Sequence, residues 1–382
     1  MAFEVYLSLM PFYYRQLGFS NAQFGLLIGI QSVPVFFADI PSSVIADRFS
    51  NRFWLVAGIA IAALGALQLA LYCPNFSYAI LGNLLIGLGR ACRSSADLSL
   101  PKEAITFYQV DHPDDRTIRS FIAWSASMNY YFGLSEALAA LTAMSLIWKW
   151  PHQGPHIAFY IHAAMYVALI PLALMITEPT RQPRARFRDV LRGRLWGYIC
   201  FSAVIGNAAS TTFVFMTPHL NSLGLKEIYI PLVVAACYLT MAILSRFTEF
   251  YQRLIGRHMA ASLLGWVCTA YLLLWLAPGW WSMAGFIAMY VVMILYTTIL
   301  ADNLMTGAPG WKATALSICS GLNQLMIISI NPIIGWGGGH KGRMSEAWGI
   351  SLAIHASLGA ALLLIIRGFT PSNERTPTNE MA

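Results

Sequence analysis

The chain has 382 residues, of which 57% are hydrophobic and only 11% are charged, and its mean hydropathy is +0.59. Soluble domains carry about a quarter charged residues, so this chain has too few charges to cover a water-soluble surface. The composition therefore excludes an ordinary soluble protein and predicts that lipid surrounds most of the molecule.

Long apolar stretches recur along the chain. A helix needs about 20 mainly apolar residues to cross the hydrocarbon core, and eleven stretches reach that length. They lie, in chain order, near 22–46, 53–72, 78–100, 118–147, 156–177, 195–217, 228–248, 259–279, 281–301, 313–336 and 347–366. One more stretch, 3–14, precedes these eleven and is counted below as the first of twelve segments. It is shorter than about 20 residues, so helix one is predicted to be truncated. Stretches that are apolar on every side must be helical in lipid, because each backbone group needs an internal partner.

Successive links between the predicted helices lie alternately on the two sides of the membrane, and the basic residues are distributed unevenly between these sides. The side that carries Arg48, Arg52 and the link 178–194 takes 19 of the 24 lysines and arginines. Cytoplasmic links carry such an excess, which predicts that this side and both termini are cytoplasmic in a cell (inner or plasma) membrane. The net charge of +7 is therefore interpreted as orienting the chain in the bilayer, and nucleic-acid binding is not expected.

The most charged link divides the chain into two sets of six predicted segments. The predicted parts are an N-terminal six-helix bundle (1–177), a basic cytoplasmic linker (178–194), a C-terminal six-helix bundle (195–368) and a cytoplasmic tail (369–382). A weak internal repeat supports a duplication, because Leu17 and Leu223 each precede a glycine after corresponding segments. Repeated halves are typical of transporters that bind a substrate between two bundles.

The link after the first long stretch contains Asp47, Arg48 and Arg52 in the pattern Asp-Arg-x-x-x-Arg. This pattern resembles the signature between helices two and three of the major facilitator superfamily, with Ser43 and Ser50 where the family has glycine. The resemblance implies an all-α membrane protein in which two six-helix bundles surround a central cavity that opens to one side at a time. It also implies that Asp47, Arg48 and Arg52 act as a conformational latch at the helix ends.

Ionisable residues inside a membrane helix are costly, so each one indicates a functional site by default. Glu136 lies in the middle of the fifth segment, and Asn129 lies two turns earlier on the same helix face. A buried acid there would suit proton coupling or a cationic substrate. The alternative is a neutral, hydrogen-bonded glutamic acid that only packs helices, and the sequence does not decide between the two.

Three further ionisable residues are candidates for the site. Asp39 is predicted either to line the cavity or to bond backbone groups opened by neighbouring prolines. Arg93 and Asp97 are predicted to share one helix as an i,i+4 pair, in which Arg93 could hold an anionic substrate. The alternative for this pair is a position near the membrane interface.

Uncharged polar residues mark further predicted walls of the cavity. Asn207 lies in the seventh segment, and Asn323 and Gln324 lie side by side in the eleventh. Their amide groups could bind substrate, and hydrogen bonding between helices is the alternative.

Together these features predict a secondary active transporter of a small solute, with proton coupling. The expected partners are a small-molecule substrate, protons and the lipid bilayer, and a monomer is expected. No cofactor or metal site is expected, because the six cysteines include no CxxC pair and the histidines are scattered. Two alternatives stay open: a non-transporting sensor or accessory protein on a transporter fold, and a polytopic membrane enzyme, although no HExxH, GxSxG or P-loop motif is present.

Overall fold

The computed structural model describes residues 14, 17–19, 21–48, 50–72, 75–94, 96–111, 120–150, 153–176, 193–226, 229–255, 258–308, 311–339 and 344–366. Within these ranges the chain folds into helices joined by short turns, and no strand occurs there. The predicted stretch 3–14 lies outside the described residues except for Tyr14, as does the tail 369–382. The linker 178–194 is described only at its last two residues, which already belong to a helix.

The helices that precede the linker are called the first half. They are α1 (Asn21–Arg48), α2 (Asn51–Tyr72), α3 (Phe76–Arg93), α4 (Ala96–Asp111), α5 (Phe121–Lys149) and α6 (Gly154–Leu174). Small residues bring α2 against α3, since a Cβ on Gly58 would lie 2.6 Å from the carbonyl oxygen of Gly89. Such residues let helix backbones approach closely in lipid, so glycine is required at this crossing.

The helices that follow the linker are called the second half. They are α7 (Gly193–Ser222), α8 (Ile230–Ser245), α9 (Thr248–Ile255), α10 (Met259–Leu276), α11 (Met283–Leu295), α12 (Ala301–Gly307), α13 (Lys312–Gly339) and α14 (Met344–Ile366). A 3-10 turn, Gly279–Ser282, precedes α11. A π-helical turn, Tyr296–Leu300, joins α11 to α12, so these elements form one continuous span.

Nine helical spans in the described part of the chain are long and apolar enough to cross a membrane. The number is ten if α8 and α9, which meet at a bend of 62°, form one span. The protein is therefore an all-α, multi-pass membrane protein, which confirms the fold class that the composition and the apolar stretches predict.

Two predicted stretches have different ends in the structure. The stretch 78–100 is not one helix, because α3 ends at Arg93 and α4 begins at Ala96. The physical reason lies in the charges: basic residues are favourable in the last turn of a helix and acidic residues in the first, and the break puts Arg93 and Asp97 in those positions. The stretch 281–301 continues beyond its predicted end to Gly307, through the π-helical turn.

The two halves meet along two helix pairs, α1 with α13 and α5 with α8. On α5, a Cβ at Gly133 would lie 2.6 Å from the carbonyl oxygen of Tyr238, so only glycine allows this close approach. One end of the bundle is called the basic end: there α1 ends at Arg48, α2 begins and α3 ends at Arg93. The polar contacts between the halves concentrate near this end.

Candidate functional site

The carboxylate of Asp39 joins the two halves near the basic end. Asp39 is fully buried in α1. Its Oδ1 accepts hydrogen bonds from the Ser94 hydroxyl after α3 (2.7 Å) and from the Ser317 hydroxyl in α13 (2.8 Å). The carboxylate thus bonds side chains from both halves, rather than the backbone groups beside the prolines of α1.

A second bond between the halves is an ion pair that sequence reasoning missed. The Lys102 ammonium in α4 contacts the Asp302 carboxylate in the first turn of α12. The two side chains are 17% and 12% exposed, and Lys102 Nζ lies 5.2 Å from the centre of the Phe121 ring. Removing one partner would leave the other charge partly buried and uncompensated. Both residues lie just past the predicted ends of apolar stretches. A charge at such a position normally predicts only a solvent-exposed link between two helices.

The π-helical turn provides a third polar contact between the halves. Asn129 Nδ2 in α5 donates a hydrogen bond to Thr297 Oγ1 (2.9 Å), and Ser125 Oγ donates to the Thr297 carbonyl oxygen (3.3 Å). Short π-helical turns inside α-helices occur frequently at functional sites. Asn129 therefore lies where α5 crosses the span formed by α11 and α12.

Glu136 lies two turns beyond Asn129 on α5 and is only 4% exposed. Gly133, between them, is buried as well, so the predicted polar face of α5 is turned into the protein. One turn before Glu136 on α5, the ring of Phe132 has its centre 5.9 Å from that of Tyr238 in α8. The first half thus places an acid beside an aromatic region of the second half.

Arg93 and Asp97 do not share a helix, so the predicted i,i+4 pair is wrong. The break between α3, which ends at Arg93, and α4, which begins at Ala96, separates them. Arg93 Nη2 donates to the Tyr166 hydroxyl in α6 (3.3 Å), and its guanidinium carbon lies 5.3 Å from that ring centre. Arg93 is therefore held by α6 within the first half.

The amide residues predicted in the second half take two kinds of position. Asn207 is fully buried, and its Oδ1 lies 2.8 Å from His355 Nε2 in α14, which is hydrogen bonding between helices of one half. Asn323 and Gln324 lie on α13, the helix that packs on α1. Gln324 is 5% exposed, and no described residue bonds the Oδ1 of Asn323. Asn207 therefore joins two helices of the second half, whereas Asn323 and Gln324 belong to the helix that packs against the first half.

Arg52 is the one latch residue whose side chain the structure describes. Its Nη1 donates to the carbonyl oxygen of Ile176 (3.1 Å), just beyond the end of α6. Carbonyl groups at a helix C-terminus lack partners within the helix and attract cations. Asp47 and Arg48 end α1, and their side chains lie outside the described set. The contact of Arg52 stays within the first half, and the latch role of the three residues stays a prediction.

A buried chain of hydrogen bonds ties the second half together at the end opposite the basic end. Trp348 Nε1 donates to His219 Nδ1 (3.1 Å), and His219 Nε2 lies 2.8 Å from Ser282 Oγ. Because the indole can only donate, Nδ1 is the acceptor, and the proton of the ring is on Nε2, which donates to Ser282. Ser282 Oγ in turn donates to the Gly279 carbonyl oxygen (2.8 Å). His219 is therefore a structural, neutral residue that the scattered spacing of the histidines did not reveal.

His219→Ala is expected to destabilise the second half. The substitution removes two buried hydrogen bonds and leaves the Trp348 indole N–H without its acceptor, a loss of about 1–3 kcal/mol. Thermal unfolding of the purified protein in detergent measures the change. His258→Ala, at an exposed position before α10, is the matched control and should leave the midpoint unchanged. Equal midpoints for the two variants would contradict the structural role of His219.

Side chains of several kinds form the contacts between the halves: carboxylates, amides, hydroxyls, one ammonium group and aromatic rings. In the part of the chain that the structure describes, no group of three or more His, Cys, Asp and Glu side chains is arranged to hold a metal ion. The cysteines described there are free thiols.

Comparisons with known proteins match this architecture. A family profile described as Major Facilitator Superfamily matches residues 1–330. Among solved structures, the E. coli fucose:proton symporter FucP has a TM-score of 0.62 and 15% identity, with 95% of each chain covered. The human organic anion transporter MFSD10 (TETRAN) has a TM-score of 0.64 and 14% identity, with 95% of this chain and 89% of that chain covered. A search of curated proteins gives no match.

Proposed function

Because the chain belongs to the major facilitator superfamily, we propose that it moves a small solute across the membrane by alternating access between its two halves. The family and its transporter neighbours identify a multi-pass membrane transporter and not an enzyme. Transporters of this family handle small-molecule substrates, sometimes with protons. In the proposed mechanism the two halves rock about a site between them, which opens to one side at a time.

The contacts that join the halves near the basic end carry this proposal. They are the Lys102–Asp302 ion pair, the Ser317–Asp39 hydrogen bond and the Asn129–Thr297 hydrogen bond. Ion pairs and hydrogen bonds can exchange partners, or accept water, when two surfaces separate, and transitions between states commonly repack such contacts. The arrangement suits a gate that is closed in one state and open in the other.

We place the basic end on the cytoplasmic side of a cell membrane, with both termini on that side. The support is the excess of lysine and arginine on this side, 19 of 24, since cytoplasmic links carry such an excess. The division into bundles over 1–177 and 195–368 follows from the same topology. The protein is proposed to act as a monomer, because the contacts that would form the gate lie within one chain.

Proton coupling is assigned to Glu136 in this proposal. Acids inside a membrane protein are expensive and occur in proton relays of transporters, and Glu136 is a nearly fully buried acid on a helix that contacts the other half. An acid that gains a proton in one state and loses it in the other links a proton gradient to substrate movement. Asp39 is the second acid between the halves, and two hydroxyl groups bond its Oδ1 in this state.

Locking the basic end shut is expected to stop transport. In a variant without its six native cysteines, Asn129→Cys and Thr297→Cys place thiols where an amide and a hydroxyl now touch across the halves. A short bifunctional thiol reagent should join them and abolish uptake into proteoliposomes, and cleavage of the link should restore it. The solute for this assay comes from screening labelled cations, anions and sugars.

A second cysteine pair provides the matched control. Thr211 Oγ1 donates to Asn331 Oδ1 at 2.8 Å, and both residues belong to the second half. Joining Thr211→Cys to Asn331→Cys should therefore leave most of the uptake intact. Alternating access at this interface is wrong if the link between the halves leaves uptake unchanged. A protein whose basic end opens and closes but which accumulates none of the solutes would instead be a sensor.

A further inference from the structure

Four aromatic rings from both halves meet between α5, α7, α8 and α11. The ring centres of Phe132 and Tyr238 are 5.9 Å apart at an interplanar angle of 87°, and those of Tyr238 and Tyr290 are 5.9 Å apart at 67°. Phe213 lies 4.7 Å from Tyr290 at 55°. These four residues are called the aromatic cluster. Inclined rings at these distances pack the edge of one ring against the face of the next, and an aromatic face can also attract a cation.

Exposure changes across the aromatic cluster. Phe132, Phe213 and Tyr238 are partly exposed, whereas Tyr290 is fully buried. The Tyr290 hydroxyl has no hydrogen-bond partner among the described residues. A buried hydroxyl without a partner is unfavourable, and buried polar groups in native proteins are nearly always satisfied. The cluster therefore presents an unsatisfied polar group beneath three accessible rings, which is the form of a ligand site rather than of a finished core.

The charge beside the aromatic cluster is negative. Glu136 lies one turn beyond Phe132 on α5, hence on the same face, and it is only 4% exposed. In the described parts of the four helices, the cations are Lys149 and Arg194, and both lie at helix ends. Lys149 is thirteen residues from Glu136, about 20 Å along the helix. Just past the end of α8, the guanidinium carbon of Arg246 lies 3.9 Å from the centre of the Tyr130 ring on α5, so this cation is held by a ring outside the aromatic cluster. Within the described parts of the four helices, Glu136 is therefore the charged residue that shares a helix face with the cluster.

We infer that the aromatic cluster and Glu136 form the substrate site, and that its substrate is an organic cation with an apolar body. This inference rests on the proposed function, because it assigns a substrate class to the site between the halves. The cationic head would lie against the faces of Phe132, Tyr238 and Phe213, with the Glu136 carboxylate as counter-ion. Cation–π attraction is strongest for such desolvated, weakly hydrated cations. Residues from both halves contribute, so closure on either side completes the cage.

Binding of benzyltrimethylammonium to the purified full-length protein tests this assignment. Neopentylbenzene has the same shape but carries carbon in place of the charged nitrogen, and benzenesulfonate carries the opposite charge. Saturable binding of the labelled cation is expected, with at least about tenfold weaker competition by either analogue. Glu136→Gln should weaken cation binding about tenfold or more, and Tyr238→Leu should weaken it about threefold to tenfold.

Two controls keep the result interpretable. Tyr131→Leu removes an aromatic ring of the same helix that is 66% exposed on the outside, and cation binding should be unchanged. Size-exclusion profiles establish that each variant is folded.

Several outcomes would overturn the assignment. They are absence of saturable cation binding, equal binding of neopentylbenzene, preferential binding of benzenesulfonate, and wild-type binding by Tyr238→Leu. Suppose that the protein prefers the anion and that cross-linking the basic end still stops transport. These results would reject an organic cation as the substrate but would remain consistent with alternating access. Uptake that is insensitive to the cross-link would instead reject the proposed function itself.

Discussion

Glu136→Gln is expected to abolish accumulation of substrate against its concentration gradient. The substitution keeps the shape of the side chain and removes its titration. A carrier whose coupling acid cannot exchange a proton can equilibrate substrate, but the proton gradient no longer drives it. Because Glu136 is only 4% exposed and belongs to α5, which packs against α8 of the other half, bulk water should not replace its function.

Proteoliposomes with an imposed pH gradient measure the effect. Wild-type protein should accumulate substrate in proportion to the gradient, whereas Glu136→Gln should reach only equal concentrations on both sides, at substrate levels that saturate both proteins. Glu346→Gln, at an exposed position in the first turn of α14, is the matched control and should keep coupling. Wild-type accumulation and pH dependence in Glu136→Gln would make Glu136 structural and the coupling mechanism wrong.

Removing the charge of Lys102 or Asp302 is expected to open the basic end. Lys102→Met or Asp302→Asn leaves the partner charge uncompensated in a setting where the two side chains are only 17% and 12% exposed. A coupling of about 1–3 kcal/mol corresponds to a shift of about 5- to 150-fold in the equilibrium between closed and open states. The two single variants should therefore behave alike, because each breaks the same contact.

The reactivity of a buried cysteine reports this opening. Met305 is fully buried in a cluster with Phe121 and Ala301 next to the ion pair, so Met305→Cys should alkylate slowly in the closed state. Either single variant should accelerate the alkylation, and Lys102→Asp combined with Asp302→Lys should slow it again. Glu249→Gln breaks the exposed Glu249–Arg253 pair and should have no effect. Unchanged alkylation in both single variants would show that the ion pair does not hold the gate.

The membrane class, the apolar helices and the two-part organisation were accessible from the sequence because they depend on local composition. Lipid forces apolar stretches to be helical, so their approximate positions follow from hydropathy alone. The break between Arg93 and Asp97 was missed, because the apolar stretch runs through it and hydropathy does not register helix ends. Charges at helix termini give the signal that would have located it.

The contacts inside the site were less accessible, because they join residues that are distant in the chain. Lys102 and Asp302 are separated by 200 positions, and Asp39 and Ser317 by 278. Neither ion-pair member lies within a predicted stretch, so each looked like an ordinary link charge. The same holds for His219, whose partners Ser282 and Trp348 are 63 and 129 positions away. The burial of Glu136 could be predicted, because the cost of an acid in lipid can be recognised from one residue alone.

The shared carboxylate of Asp39 makes its contact between the halves easy to detach. In the proposed movement Ser317 leaves with the second half, whereas Ser94 can stay in place, because it belongs to the same half as Asp39. The buried carboxyl group of Asp39 then keeps one hydrogen-bond donor throughout the movement. The two halves can therefore separate without leaving this group buried and without a partner. Among the described residues, the Lys102 ammonium and the Asp302 carboxylate have no second hydrogen-bond partner of this kind. Of the two contacts, the ion pair should therefore set the height of the barrier to opening, while the Asp39 junction sets the register in which the halves close again.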